Sequence, residues 1–165
     1  MLRGKVVINK FVYYLKGVIE MRFEEITLEH LESVVNFYIK SFNSEPWNDR
    51  WTEESATKRL TQMINCEGSY GLVCYLDEEP VGMILGNHEY YYDAMHFNIK
   101  EFCVDHSKKG QGIGKKVLNE FTNRLKDKGI NYIYLLTSRT DKTEGFYKKN
   151  EYESVDDVVM MERNI

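Results

Sequence analysis

The chain is poor in the features that mark most specialised protein classes. Its three cysteines, Cys66, Cys74 and Cys103, stand far apart with no Cys-x-x-Cys pair. Neither a zinc site nor a disulfide framework is expected, and a reducing cytosol is the default compartment. His88, His96 and His106 do not have the spacing of metal ligands, and His30 reads as a surface helix residue; no metal is expected. Long apolar runs are missing too. The apolar and basic stretch from Val6 to Ile19 is broken by Lys10 and Lys16, with no small-residue cleavage site after it. That excludes a spanning helix and a signal peptide from the reading, so no membrane partner is expected. Positive charge is not in excess: 22 Lys and Arg face 26 Asp and Glu, for a net charge of −4. A nucleic acid would need a broad basic surface, so none is expected as partner. There is no internal repeat, low-complexity tract or interdomain linker. The 165 residues therefore read as one domain with a single well-buried core.

What the chain does have is concentrated between Val104 and Leu118. An apolar strand runs into the basic, glycine-rich segment Lys108-Lys109-Gly110-Gln111-Gly112-Ile113-Gly114-Lys115-Lys116, which opens a helix. The helix is read from the apolar stripe Ile113, Val117, Leu118, Phe121 and Leu125, with Gly129 as its stop. A helix start presents unpaired N–H groups and the positive end of its dipole, and glycines let a phosphate approach the backbone closely. The segment is an anion cradle by its chemistry. It is not a Walker loop, because Lys116 stands where a Ser or Thr would bind magnesium. Nor is it a dinucleotide fingerprint, because its glycines fall at every second position.

The flanking pattern gives the order of elements. A strand is expected over 21–27, then a helix from Leu31 to Phe42 with Thr27 as cap, then a helix capped by Thr52. Between these helices lies a loop holding both tryptophans, Trp47 and Trp51. Strands over 70–76 and 81–92 flank a hairpin turn at Asp77-Glu78-Glu79-Pro80. A strand over 96–105 precedes the glycine loop and its helix. After that come a strand over 131–137, a short helix capped by Thr140 or Asp141 and reaching Lys149, and a closing strand from Glu153 to Arg163. The apolar run of that last strand is Val158, Val159, Met160 and Met161. Residues 1–20 form an N-terminal extension expected to pack on the domain or on a second subunit.

The segment Lys109-Gly110-Gln111-Gly112-Ile113-Gly114 resembles the acetyl-CoA loop of the GNAT N-acetyltransferase superfamily, Gln/Arg-x-x-Gly-x-Gly/Ala, with Lys109 in place of Gln or Arg. Phe146-Tyr147-Lys148-Lys149-Asn150-Glu151-Tyr152 resembles the family's Phe-Tyr-x-Lys-x-Gly-Phe helix end, with Glu151 at the usual Gly position and Asn150 as the expected terminator. The likeness spans about 21–163, which makes residues 21–165 the acetyltransferase domain. It implies an α/β fold: a central mixed, mostly antiparallel sheet, splayed between its fourth and fifth strands and flanked by helices. It also implies acetyl-CoA as acetyl donor. Pantetheine would lie along Phe102, Cys103 and Val104, and the pyrophosphate on Lys109, Gly110, Gln111, Gly112, Ile113 and Gly114, with Lys115 beside it. Thr137 and Ser138 would flank the acetyl end, with Phe146 and Lys149 also on the cofactor side. Tyr147 would be the general acid for the leaving thiolate.

The implied reaction is attack of an amine on a thioester, for which a carboxylate acting directly or through water must take a proton. Glu101 is the candidate, because it interrupts an apolar strand just before the cofactor residues. Strict alternation would put Glu101 and Cys103 on the face opposite Phe102 and Val104, unless a bulge intervenes. Cys103 reads as a buried small hydrophobe rather than a nucleophile. Glu45, Trp47, Trp51 and Tyr90 are the expected acceptor contacts, since aromatic faces and carboxylates suit a cationic amine. The expected substrate is therefore a small cationic amine, polyamine-, aminoglycoside- or lysine-like. A peptide amine and a non-catalytic acyl-CoA sensor are the alternatives. Exposed aromatics and the extension suggest a homodimer.

Overall fold

Two threonines fix where the first two helices begin. In the computed structural model, which describes residues 7–8, 11–12, 21–108 and 110–165, Thr27 caps a 3-10 turn, Leu28–His30, that leads straight into α1, Leu31–Phe42. Thr52 caps α2, Glu53–Ile64: its hydroxyl accepts from the Ser55 N–H at 3.1 Å, and the Ser55 hydroxyl accepts from the Thr52 N–H at 2.9 Å. Two helix-end donors are thus satisfied reciprocally. Residues 7–8 and 11–12 pair as a short hairpin. The expectation of where residues 1–20 pack lies outside the described residues, as does Lys109.

The sheet has the order β1 (Met21–Glu25), β2 (Ser69–Leu76), β3 (Glu79–Tyr90), β4 (Met95–Val104) and β5 (Tyr132–Leu135). The first four strands pair antiparallel, and β5 pairs parallel to β4 after the crossover through α3, Ile113–Asp127. Asp77 and Glu78 turn the β2–β3 hairpin with φ of 49° and 64°, the mirror-image turn that suits strand twist. Helices α1 and α2 cover one face of the sheet through Val34, Val35, Tyr38, Ala56, Leu60 and Met63. Helix α3 covers the other through Ile113, Val117, Leu118, Phe121 and Leu125. With both faces covered, β2 and β3 are buried almost continuously rather than on alternate residues.

A bulge in β4 sets up the site. Leu85 pairs with Glu101 but Gly86 pairs with Ile99, so Lys100 is the extra residue. It reverses the alternation: Phe97 and Ile99 face α3, whereas Glu101 reaches Tyr38 and Arg59 on α1 and α2. Cys103 packs with the same α1–α2 core, while Phe102 and Val104 pack on the α3 side. Gly86 has no alternative at this point, since a Cβ there would lie 1.9 Å from the Asn98 carbonyl oxygen.

The C-terminal region departs from expectation. Among the described residues no strand follows the short helix α4, Glu144–Lys148. Val158 to Met161 stand 68–84% exposed. An apolar run needs a neighbouring ladder to become a strand, and residues 153–163 have none here. Thr143, rather than Thr140 or Asp141, precedes α4, and the Thr140 hydroxyl accepts from the Thr143 N–H. Asn150 does not take the left-handed position after the helix. Glu151 does, with φ 68°, while the Asn150 side-chain amide donates to the Phe146 carbonyl at 2.7 Å.

Two outcomes in denaturant unfolding follow from these positions. Gly86→Ala should cost at least about 2 kcal/mol, because backbone rather than a flexible side chain must give way. Glu151→Gly should stabilise by about 0.5–1 kcal/mol, since glycine adopts that φ without a Cβ penalty.

Candidate active site

The β4–β5 ladder runs only from His96↔Tyr132 to Ile99↔Leu135. Beyond it, residues 100–104 of β4 continue without a β5 partner, which leaves backbone groups free for a ligand. A cavity of about 200 Å³ opens at this fork. Its floor is Phe102, Cys103 and Val104; one side is Gly114, Thr137, Phe146 and Tyr147; the other is Ser41, Glu45, Pro46 and Trp47 at the end of α1. His106, Lys142 and Thr143 complete the lining. A wider groove of about 500 Å³, between Arg139, Lys148 and Asp156, lies open beside the C-terminal segment and holds none of the expected catalytic or acceptor residues.

The glycine loop has the expected geometry. Gly110 and Gly112 have φ of 82° and 74°, and a Cβ on either would meet nothing within 4 Å, so their requirement is conformational rather than steric. Gly112 caps α3 without any side-chain bond, and the first helical hydrogen bond is Lys116 N–H to the Gly112 carbonyl. The N–H groups of Ile113, Gly114 and Lys115 therefore emerge at the positive helix end. At Gly114 a Cβ would come within 3.4 Å of the Phe146 ring and 3.5 Å of Val104, so this glycine keeps the cavity wall closed. Free amides at a helix start, an unpaired strand edge and apolar walls match the diphosphate, amides and methylenes of an acyl-CoA.

Glu101 is buried, with 6% of its surface exposed. Arg59 donates from Nε and approaches with Nη2, at 2.7 and 2.6 Å from Oε1, and the Tyr38 hydroxyl donates to Oε2 at 3.2 Å. Burial pushes its carboxyl above the ordinary range, and the Arg59 guanidinium opposes that rise. Its ion-pair partner is Arg59, not the neighbouring Lys100, which is exposed. Glu101 does not line the cavity; Cys103 and Ser41 do. Burial drives the Cys103 thiol far above its ordinary range, so it is uncharged and inert as a nucleophile.

Tyr147 stands in the cavity wall, edge-on to Phe146 at 5.3 Å and to Tyr152 at 5.5 Å. Burial raises its phenol well above the usual value, so it keeps its proton. Among the described residues its hydroxyl has no hydrogen-bond partner.

Of the expected acceptor contacts, Glu45 and Trp47 reach the cavity and two others do not. Trp51 is partly buried and packs against the α1–α2 core, edge-on to Tyr38 at 5.2 Å with its indole N–H donated to Asp49 at 3.0 Å. Tyr90 pairs with Met95 at the opposite end of β4, roughly 20–26 Å from the cavity floor at Phe102 and Val104 at about 3.3 Å per residue. Antiparallel neighbours run in opposite directions, so the end of β3 lies beside the start of β4, away from the cavity. Ser138 and Lys149 also lie off the cavity wall. Sequence reasoning missed Arg59, Tyr38 and Ser41. Arg59 carried a signal, since it falls three residues after Ala56 and just before Leu60 on the inward stripe of α2.

Removing the Glu101 carboxylate should separate charge from shape. Glu101→Ala, which strands Arg59 and Tyr38, is expected to lower stability by about 2–4 kcal/mol in urea unfolding, and Glu101→Gln by less than half of that.

The comparisons agree with this geometry. A model described as the acetyltransferase (GNAT) family matches residues 31–152. The acetyltransferase ECA0875 of Pectobacterium atrosepticum is 25% identical over 138 residues, covering 83% of this chain and 91% of that protein. Among solved structures, the chain resembles an aminoglycoside acetyltransferase, meta-AAC0020, from an uncultured soil metagenomic sample in complex with sisomicin, with TM-score 0.70, 20% identity and coverage of 88% and 96%. It also resembles the aminoglycoside N-acetyltransferase AAC(6')-Iy in complex with CoA, with TM-score 0.71, 12% identity and coverage of 93% and 100%. At such identities the structures share a fold with this chain and no more. The family match over most of the chain, joined to the forked sheet and the glycine-opened helix, makes this protein a member of the GNAT acetyltransferase family and an N-acetyltransferase.

Proposed function

We propose that the chain transfers an acetyl group from acetyl-CoA to the primary amine of a small cationic substrate, polyamine-, aminoglycoside- or lysine-like, by direct attack in a ternary complex. The observation that carries this reading is the make-up of the cavity. Cofactor-side residues Phe102, Val104, Gly114 and Phe146 face Glu45 and Trp47 across one space. Two relatives in fold are named as aminoglycoside acetyltransferases, one of them with sisomicin bound, which fits a cationic acceptor.

Bound acetyl-CoA supplies the activated acetyl thioester. The backbone of Phe102, Cys103 and Val104 would pair with its amides as an added strand. Gly110, Gln111, Gly112, Ile113 and Gly114, with Lys109 and Lys115, would hold its diphosphate. On the other side Glu45 would draw the ammonium in and the Trp47 face would hold it. A lysine-like amine at pH 7 needs about 4–5 kcal/mol to reach its neutral form, so a proton acceptor is required. Glu101 fills that role through an intervening water, since both its oxygens are engaged and it stands behind the cavity wall. Tyr147 is a hydrogen-bond donor to the sulfur as charge develops there. Its raised pKa works against handing the proton over completely.

We also take the enzyme to be a cytoplasmic homodimer. Three free thiols support a reducing compartment, and among the described residues no helix is long and apolar enough to cross a membrane.

A thiol-release assay with acetyl-CoA and a panel of amines should show turnover with polyamines or aminoglycosides and none with anionic amines. Silence across the cationic members would overturn the proposal. Tyr147→Phe is expected to lower kcat by about 10- to 100-fold with the KM for acetyl-CoA held within about twofold. Glu45→Gln should instead raise the KM for the cationic amine by about 5- to 10-fold and leave kcat nearly unchanged.

A further inference from the structure

The glycine loop has little of its own to hold its shape. Gly110 and Gly112 lie in the left-handed region, and a side chain on either would touch nothing within 4 Å. Packing therefore does not set the loop at these two positions. Its far end is secured, because Ile113 opens α3 and is buried in the α3-side core. Its near end rests on Asp105, the first residue after β4.

Asp105 is held to the sheet by its own N–H, which donates to the Val81 carbonyl of β3 at 2.9 Å. Its Oδ1 accepts from the Ser107 N–H at 2.9 Å and from the Ser107 hydroxyl at 2.8 Å. Its carbonyl accepts from the Lys108 N–H at 3.0 Å across the 3-10 turn His106–Lys108, and the Lys108 carbonyl accepts from the Gln111 N–H at 3.3 Å. A run of hydrogen bonds thus leads from a fixed strand to the middle of the loop, and it starts from one side chain. An aspartate that bonds the backbone two residues on mimics a backbone turn and stiffens the chain locally.

A carboxylate just ahead of an anion cradle needs its charge answered. The Asp105 side chain is 12% exposed, and its Oδ2 stands 3.5 Å from Nζ of Lys40 on α1. Burial works against the charge, but the Ser107 bonds and Lys40 outweigh it and hold the carboxyl below the ordinary range. The charge is spent inside the protein, and what reaches the loop is geometry.

We infer that Asp105 is a positioning residue for the cofactor loop: it gives residues 110–114 the shape that receives the diphosphate before acetyl-CoA arrives, by hydrogen-bond geometry rather than by charge. This role rests on the reading that the loop holds acetyl-CoA. A loop ordered in advance loses less conformational freedom on binding, so the gain falls on affinity for the cofactor and not on the chemical step.

Titration calorimetry with CoA, which needs no acceptor amine, tests this. Asp105→Ala should raise the Kd for CoA by about 10- to 50-fold and the KM for acetyl-CoA in step, with kcat at saturation within about threefold. Asp105→Asn keeps an oxygen for Ser107 and drops the charge, so its Kd should stay within about threefold of wild type. A merely structural loss would lower the folded fraction seen by circular dichroism, and kcat with it, while Kd and KM stayed where they were. If Asp105→Ala does not fold, Ser107→Ala, which removes one of the two side-chain bonds, should raise Kd by about three- to fivefold. A Kd unchanged in Asp105→Ala, or in Ser107→Ala in its place, overturns the inference, and so does Asp105→Asn binding as weakly as Asp105→Ala. Wild-type protein that takes up no CoA overturns the acetyltransferase reading and this role with it; wild type that binds CoA no better than Asp105→Ala overturns this role alone.

Discussion

The parting of β4 from β5 after Ile99 and Leu135 is the constraint on which the site depends. Two parallel strands that stay paired leave no backbone for a ligand, and two that never pair leave no fixed edge. Here four residue pairs hold the strands in register, and β4 then carries on for five residues with β3 as its one neighbour among the described strands. The bulge at Lys100 sits where the pairing ends. It turns Glu101 and Cys103 toward α1 and α2 and leaves Phe102 and Val104 on the side of α3 and α4. The requirement for glycine at position 86 belongs to this arrangement, because the opposing strand must come close for the extra residue to be absorbed.

Glu101 shows how a buried charge is tolerated. Desolvation favours its neutral form, and the approach of Arg59 with a tyrosine hydroxyl on the other oxygen favours the charged one. Arg59 keeps 41% of its side chain exposed, so the pair is desolvated on one side only. The network ties α1, α2 and β4 together behind the cavity. It gives the carboxylate a fixed place without bringing it into direct contact with whatever occupies the cavity.

Much of this was legible in the sequence, for identifiable reasons. Helix ends are set by local chemistry, so Thr27, Thr52 and the glycine loop could be read from neighbouring residues. The apolar stripe of α3 has a period that only a helix satisfies. Contacts that depend on how strands are ordered were not legible. Tyr90 and Trp47 look equally suitable on the page, yet the antiparallel run of β3 and β4 carries Tyr90 to the far end of the sheet. Trp51 and Trp47 are four residues apart, and only packing against Tyr38 separates the core-packed residue from the cavity residue. A one-residue slip in register leaves no mark on composition, so the sequence offers the bulge only as an option. Glu151 in a left-handed conformation breaks a local preference, and the tertiary contacts of Tyr152 with Tyr147 override it.

Cys103 has a consequence for a chamber of this kind. A thiolate facing an acyl thioester would compete as an acceptor, taking the acyl group by exchange and leaving the protein itself acylated. Packed between Ser41 and the sheet, with its sulfur held uncharged by burial, Cys103 cannot enter that exchange. The floor of the cavity can therefore include a sulfur atom as plain filling, chemically silent beside a thiol that turnover would set free.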